Sequence, residues 1–206
     1  MGKPTTHVLM AVDRSGSMSG LAGDVRGSFN TYLDSLVSDD YKYRLTIAMF
    51  NHDYQPHCRA AKPREVTRLD TTNYRPGGNT SLLDAIGRLI TDFETTTTLA
   101  DGDKVMLVVQ TDGDENSSRE YTLDAVRSLI KDRESTGRWS CLFIGAGPDT
   151  WKQAAGLGFR AGSTIAVAST GAGTQSTYRG LADATKSYAA GASGDDAAKL
   201  IADANP

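Results

Sequence analysis

The stretch VDRSGSMSG, residues 12–20, sets an acid and three serines at alternating positions: Asp13, Ser15, Ser17 and Ser19. Carboxylate and hydroxyl oxygens are hard donors. The alternation D-x-S-x-S lets a curved loop turn every second side chain inward, and Gly16 permits the bend. Two other stretches carry donors of the same kind: GGNTS with Thr80, and TDGDENSS with Asp112. Asp13, Ser15, Ser17, Thr80 and Asp112 together offer two carboxylates and three hydroxyls, with no sulfur or imidazole. That set suits Mg²⁺, or Mn²⁺ or Ca²⁺, and argues against zinc or copper. Taken alone, Asp13, Ser15 and Ser17 also fit a simpler role, capping a helix that starts near Gly20. Ser19 reads as a helix-start residue, and Asp114, Glu115 and Asn116 as the end of a turn.

These residues can act together only if the elements that carry them meet. His7 to Val12 reads as a short buried strand, and Leu21, Val25, Phe29, Leu33 and Leu36 recur at helical spacing over about 20–37. Tyr43 to Phe50 reads as a strand. Arg64 to Leu69 reads as its hairpin partner after a loop of about a dozen residues that holds His52 and His57. A Pro-Gly-Gly break then leads into a helix marked by Leu82, Leu83, Ile86, Leu89, Ile90 and Phe93. Lys104 to Gln110 is a fourth strand, followed by a helix with Leu123, Val126, Leu129 and Ile130. Trp139 to Ile144 and Ser163 to Ala168 are the last two strands, separated by a short helix around Trp151 to Ala155. Both tryptophans are expected to pack. Helical sequence over about 174–190 precedes AAGASG, which reads as a hinge before a short terminal helix, Asp195 to Ala204.

Wholly apolar strands separated by amphipathic helices imply a mostly parallel sheet covered on both faces. Ligands of such sheets bind at the carboxyl ends of the strands, where strand order reverses. Asp13 and Asp112 each follow an apolar strand. The three loops share that edge if the first and fourth strands are neighbours.

Composition excludes several classes. The 206 residues carry a net charge of −3, with 39% hydrophobic and 23% charged residues. This reads as a globular chain with no electrostatic reason to bind nucleic acid. No segment approaches the ~20 apolar residues that would cross a membrane. Gly2 and Thr6 satisfy part of an N-myristoylation pattern, with Pro4 speaking against it. Two widely spaced cysteines point to neither a disulfide framework nor zinc, and a cytoplasmic setting is expected. Enzyme signatures fail: GSMSG has Met18 where a nucleophile elbow needs serine, and STGAGTQS has Ser176 in place of the third glycine of a dinucleotide loop.

The residues DRSGS, GGNTS and TDGDEN, in that order on alternating strands and helices, resemble the von Willebrand factor A (vWA) domain and its metal-ion-dependent adhesion site. GGNTSLLDAI, TDGDENSSREYT and FIGAGPDTW look like the stand-alone vWA proteins of bacteria and phages. The likeness covers about residues 5–190 and leaves 191–206 as a hinge and short C-terminal helix or tail. It implies an α/β, Rossmann-like three-layer fold, with a mostly parallel six-stranded sheet, one antiparallel edge strand and helices on both faces. It also implies metal ligation by Ser15, Ser17 and Thr80, with Asp13 and Asp112 partly in an outer layer. The function implied is metal-dependent protein binding, in which a partner's Asp or Glu completes the ion, as an adaptor or assembly component and not an enzyme. The alternative is a building block of a large assembly such as a phage particle, which would place the protein in a virion. Partner choice is expected from Arg14, Tyr74, Arg75, Asn79, Glu115 and Arg119.

Overall fold

A computed structural model describes residues 3–146 and 149–205; the readings made on Gly2 and on the Gly147–Pro148 part of FIGAGPDTW lie outside the described residues. Six strands, β1 (Thr5–Asp13), β2 (Lys42–Phe50), β3 (Tyr54–Ala61), β4 (Lys104–Thr111), β5 (Trp139–Ala146) and β6 (Thr164–Val167), form one sheet in the order β3-β2-β1-β4-β5-β6. Every pairing is parallel except β2 with β3. The helices are α1 (Ala22–Val37), α2 (Leu82–Thr96), α3 (Leu123–Ser135), α4 (Thr150–Leu157), α5 (Gly171–Ala190) and α6 (Gly194–Asp203).

Strand geometry explains the apolar runs. Side chains alternate between the two faces of a sheet, and both faces here are covered. In β1, Val8, Met10 and Val12 enter one core with residues of α1, α5 and α6. Leu9 and Ala11 enter the other core with α2, α3 and α4. The strands β4 and β5 divide the same way: Met106, Val108, Leu142 and Ile144 on the first side, Leu107, Val109, Cys141 and Phe143 on the second. Connections from β1 run outward through β2, and those from β4 run outward through β5. The order therefore reverses between β1 and β4, whose carboxyl ends lie side by side.

The hairpin differs from the sequence expectation. The strand opposite β2 is Tyr54–Ala61, reached through a tight turn at 51–53 in which Asp53 N donates to Asn51 Oδ1 at 2.9 Å. Arg64 to Leu69 is not a strand: Pro63–Glu65 forms a 3₁₀ turn, and Val66 and Leu69 plug the core three residues apart. An edge strand with no buried residue needs little apolar content, so YQPHCRAA gave no strand signal. His57 lies in that strand, its Nε2 2.6 Å from Thr67 O, and not in a loop.

The tryptophans also divide. Trp139 is 8% exposed and meets Phe93 edge-on, whereas Trp151 is 51% exposed. Thr150, Ala154 and Leu157 take the buried face of α4 and turn Trp151 away. At the C-terminal end, Gly191 closes α5 in the left-handed conformation, and Ala197, Ala198 and Ile201 of α6 join the core beneath α5. Among the described residues, no helix is long and apolar enough to cross a membrane.

Two glycines test this packing with opposite signs. A Cβ on Gly27 in α1 meets nothing within 4 Å, so Gly27→Ala should stabilise by about 0.5–1 kcal/mol through helix propensity. A Cβ on Gly180 in α5 would sit 2.8 Å from Ile201 Cα and 3.0 Å from Leu200 O. Gly180→Ala should therefore destabilise by about 1–3 kcal/mol despite the same propensity gain. Urea unfolding of both variants distinguishes the two, and equal shifts would contradict the close α5–α6 contact.

Candidate metal centre

Asp13 ends β1 and is wholly enclosed. Its Oδ1 accepts from Ser15 N at 2.6 Å, and its Oδ2 accepts from the hydroxyl of Thr111, the last residue of β4, also at 2.6 Å. Burial is the largest influence and pushes this carboxyl above its ordinary range. The bonds from Thr111 and Ser15 pull it partly back, and the charge of Asp112 adds a smaller upward push. After Asp13 the chain enters a 3₁₀ turn, Gly16–Leu21, anchored by buried Met18. Backbone bonds fasten this turn to the Thr80 loop: Gly16 N donates to Gly78 O at 3.0 Å, and Gly77 N to Arg14 O at 2.9 Å. Asn51 secures the same loop through Nδ2 to Gly77 O at 2.6 Å.

The Thr80 and Asp112 loops are likewise joined. Thr80 N donates to Asn116 Oδ1 at 2.9 Å, and Asn116 N donates to Thr80 O at 3.0 Å. Glu115 accepts from Leu83 N at the start of α2 and from Ser117 N and Ser118 N. Asp84, in the first turn of α2, accepts from the backbone of Arg119, Glu120 and Tyr121. Residues 115–121 are thus wrapped around the head of α2, where carboxylates also favour the helix dipole.

The five expected residues meet at this edge. Ser17 Oγ donates to Asp112 Oδ1 at 2.5 Å and lies 3.0 Å from Ser15 Oγ. A Cβ placed on Gly113 would stand 3.1 Å from Thr80 Oγ1, 3.5 Å from Ser17 Oγ and 3.7 Å from Ser15 Oγ. Three hydroxyls therefore converge around one point that Gly113 leaves open, with Asp112 beside it and Asp13 beneath. This all-oxygen set fits a hard divalent cation. Among the described residues, no group of three or more His, Cys, Asp or Glu is placed to hold a metal ion, so the set here rests on hydroxyls.

Other expectations change. Ser15 makes no side-chain cap to the turn that follows it, and Ser19 donates to Gly16 O. Tyr74 cannot touch a partner: it is fully buried, and its hydroxyl donates to Asp13 O at 2.7 Å. Glu115 is committed to the head of α2. Arg75, Asn79 and Arg119 remain exposed, and Arg14 is half-buried. Thr111 and Asn116 were not singled out from the sequence as functional. A hydroxyl closing the apolar run of β4 was a usable signal for Thr111; the bonds of Asn116 to a residue 36 positions away leave none.

A parallel sheet reversing between β1 and β4, with β3 antiparallel at its edge and helices on both faces, is the von Willebrand factor type A fold. Solved structures agree. The chain is similar to a von Willebrand factor type A protein from Catenulispora acidiphila (TM-score 0.59, 14% identity, 88% of this chain and 42% of that one). It is also similar to the pilus adhesin SpaC from Lactobacillus rhamnosus GG (TM-score 0.64, 16% identity, 89% and 30%). Manganese-loaded TRAP protein from Plasmodium vivax aligns as well (TM-score 0.53, 16% identity, 69% and 57%). The chain spans between 30% and 57% of the length of these three neighbours. No family model matches the chain, and no curated protein does. At such identities the likeness is one of fold.

The enclosed Asp13 carboxyl has a measurable consequence. Its folded-state pKa stands above its ordinary 3.8. The stabilisation from protonation is therefore full below that value and is lost as pH rises through the raised one. Glu65, Asp70, Asp103 and Glu120 are held below their ordinary range and oppose this on acidification. The Asp13 contribution is therefore read as a difference: chelator-treated Asp13→Asn should lose more stability than wild type across this window. Thermal melts across pH check this, and identical slopes would contradict it.

Proposed function

We propose that the chain is a divalent-metal-dependent protein-binding module. Ser15, Ser17 and Thr80 hold the ion by their hydroxyls. Asp112 acts through its bond to Ser17, and Asp13 through the backbone of Ser15. Both Asp13 oxygens already accept bonds, which supports an outer-layer role for it. The observation that carries the reading is the convergence of three hydroxyl oxygens at the open position beside Gly113. A bound Mg²⁺ or Mn²⁺ supplies a Lewis-acidic centre with an exchangeable position. Because the nearest donors are neutral hydroxyls, much of the cation's charge is left for an incoming carboxylate. A protein partner bringing Asp or Glu is the ligand this chemistry favours. The adhesin among the similar structures, and the one loaded with manganese, support the same reading.

Calorimetric titration of Mg²⁺ and Mn²⁺ into the chelator-treated chain should show one saturable site. Asp112→Ala should weaken it at least about tenfold. Gly113→Ala should do likewise, because its methyl would occupy the point on which the hydroxyls converge, 3.1 Å from Thr80 Oγ1. Absence of binding in wild type, with and without added acetate, would overturn the proposal. So would a Gly113→Ala variant that binds as wild type does.

A further inference from the structure

We propose that Asn116 is a positioning residue for Thr80 and the donor that selects a carboxylate at the metal edge, an inference that rests on the metal-binding reading above. The amide has a determined orientation. Thr80 N can only donate, so the oxygen of Asn116 must face it, and Nδ2 is the half of the amide that this bond leaves unused. The return bond, Asn116 N to Thr80 O, closes a ring about the main chain of Thr80. Thr80 itself is 3% exposed and has its hydroxyl in the converging set. Holding the Thr80 backbone at both ends sets where that hydroxyl stands.

The other half of the amide is free. Asn116 is exposed, and Nδ2 has no acceptor among the described residues. Its neighbours are committed: the Glu115 carboxylate takes Leu83 N, Ser117 N, Ser118 N and Ser118 Oγ, and Ser117 Oγ pairs with Ser81 Oγ. Those bonds also hold the segment still. A carboxylate that gives one oxygen to the ion leaves its second oxygen needing a donor, and a charge-assisted bond from a preorganised amide meets that need. A neutral carbonyl or water ligand has no second oxygen to use it, so the same amide discriminates in favour of acids.

The experiment measures Mn²⁺ affinity, and acetate affinity at saturating Mn²⁺ by water-proton relaxation, for wild type and three variants. Asn116→Ala removes both functions and should weaken Mn²⁺ about tenfold. Asn116→Asp restores the acceptor for Thr80 N and should recover Mn²⁺ affinity fully, yet it lacks the N–H donor. Asn79→Asp adds the same charge at an exposed position beside Thr80 and controls for repulsion. Acetate should bind Asn116→Asp at least about fivefold more weakly than Asn79→Asp. Wild-type Mn²⁺ affinity in Asn116→Ala, or equal acetate affinity in the two aspartate variants, overturns the inference while leaving metal binding intact. No Mn²⁺ binding by wild type overturns the metal reading and this inference with it.

Discussion

A carboxylate shut inside a protein must be hydrogen-bonded or it destabilises the fold by several kcal/mol. Asp13 imposes that demand at the end of the central strand, and the organisation of the candidate metal edge follows from how it is met. One oxygen requires the chain to double back at once so that Ser15 N can reach it. The other requires the end of β4 to lie alongside, so that Thr111 can donate across the junction. The first condition starts the turn that presents Ser15 and Ser17. The second brings Asp112, the next residue after Thr111, within reach of Ser17. Satisfying one buried group therefore assembles two of the three loops.

The third loop is brought in by polar side chains acting where regular structure ends. Asn51 ties the β2–β3 turn to Gly77. Tyr74 reaches under the loop to the carbonyl of Asp13. Glu115 and Asp84 fasten the Asp112 loop to the head of α2, the helix that immediately follows Thr80. Side-chain bonds of this kind take up backbone groups that neither sheet nor helix can pair. The result is an edge at which three hydroxyls converge.

The apolar sheet beneath has a different task. Its alternating residues fill two cores at once, with α1, α5 and α6 on one side and α2, α3 and α4 on the other. The site then stands on a platform whose strands cannot slip, since a one-residue shift would exchange the contents of the two cores. The close seating of Gly180 against Ile201 brings α6 into that platform.

Much of this was legible in the sequence. Period and run length expose burial, so His7 to Val12 and Lys104 to Gln110 announce strands covered on both faces, and Leu82 to Phe93 announces a helix facing the sheet. The five oxygen-bearing residues were legible too, because D-x-S-x-S, an isolated threonine and a post-strand aspartate are local patterns. The failures share one physical origin. Tyr54–Ala61 is a strand because β2 offers it an edge, not because of its own apolar content. Tyr74 is buried and Glu115 committed for reasons that lie in residues far along the chain. The bond between Asn116 and Thr80 spans 36 positions and has no periodicity to betray it. Hydrophobic pattern reports which face of an element is covered, and that the sequence determined alone; which polar groups meet across loops depends on strand order and approach, and only the tertiary structure decided it.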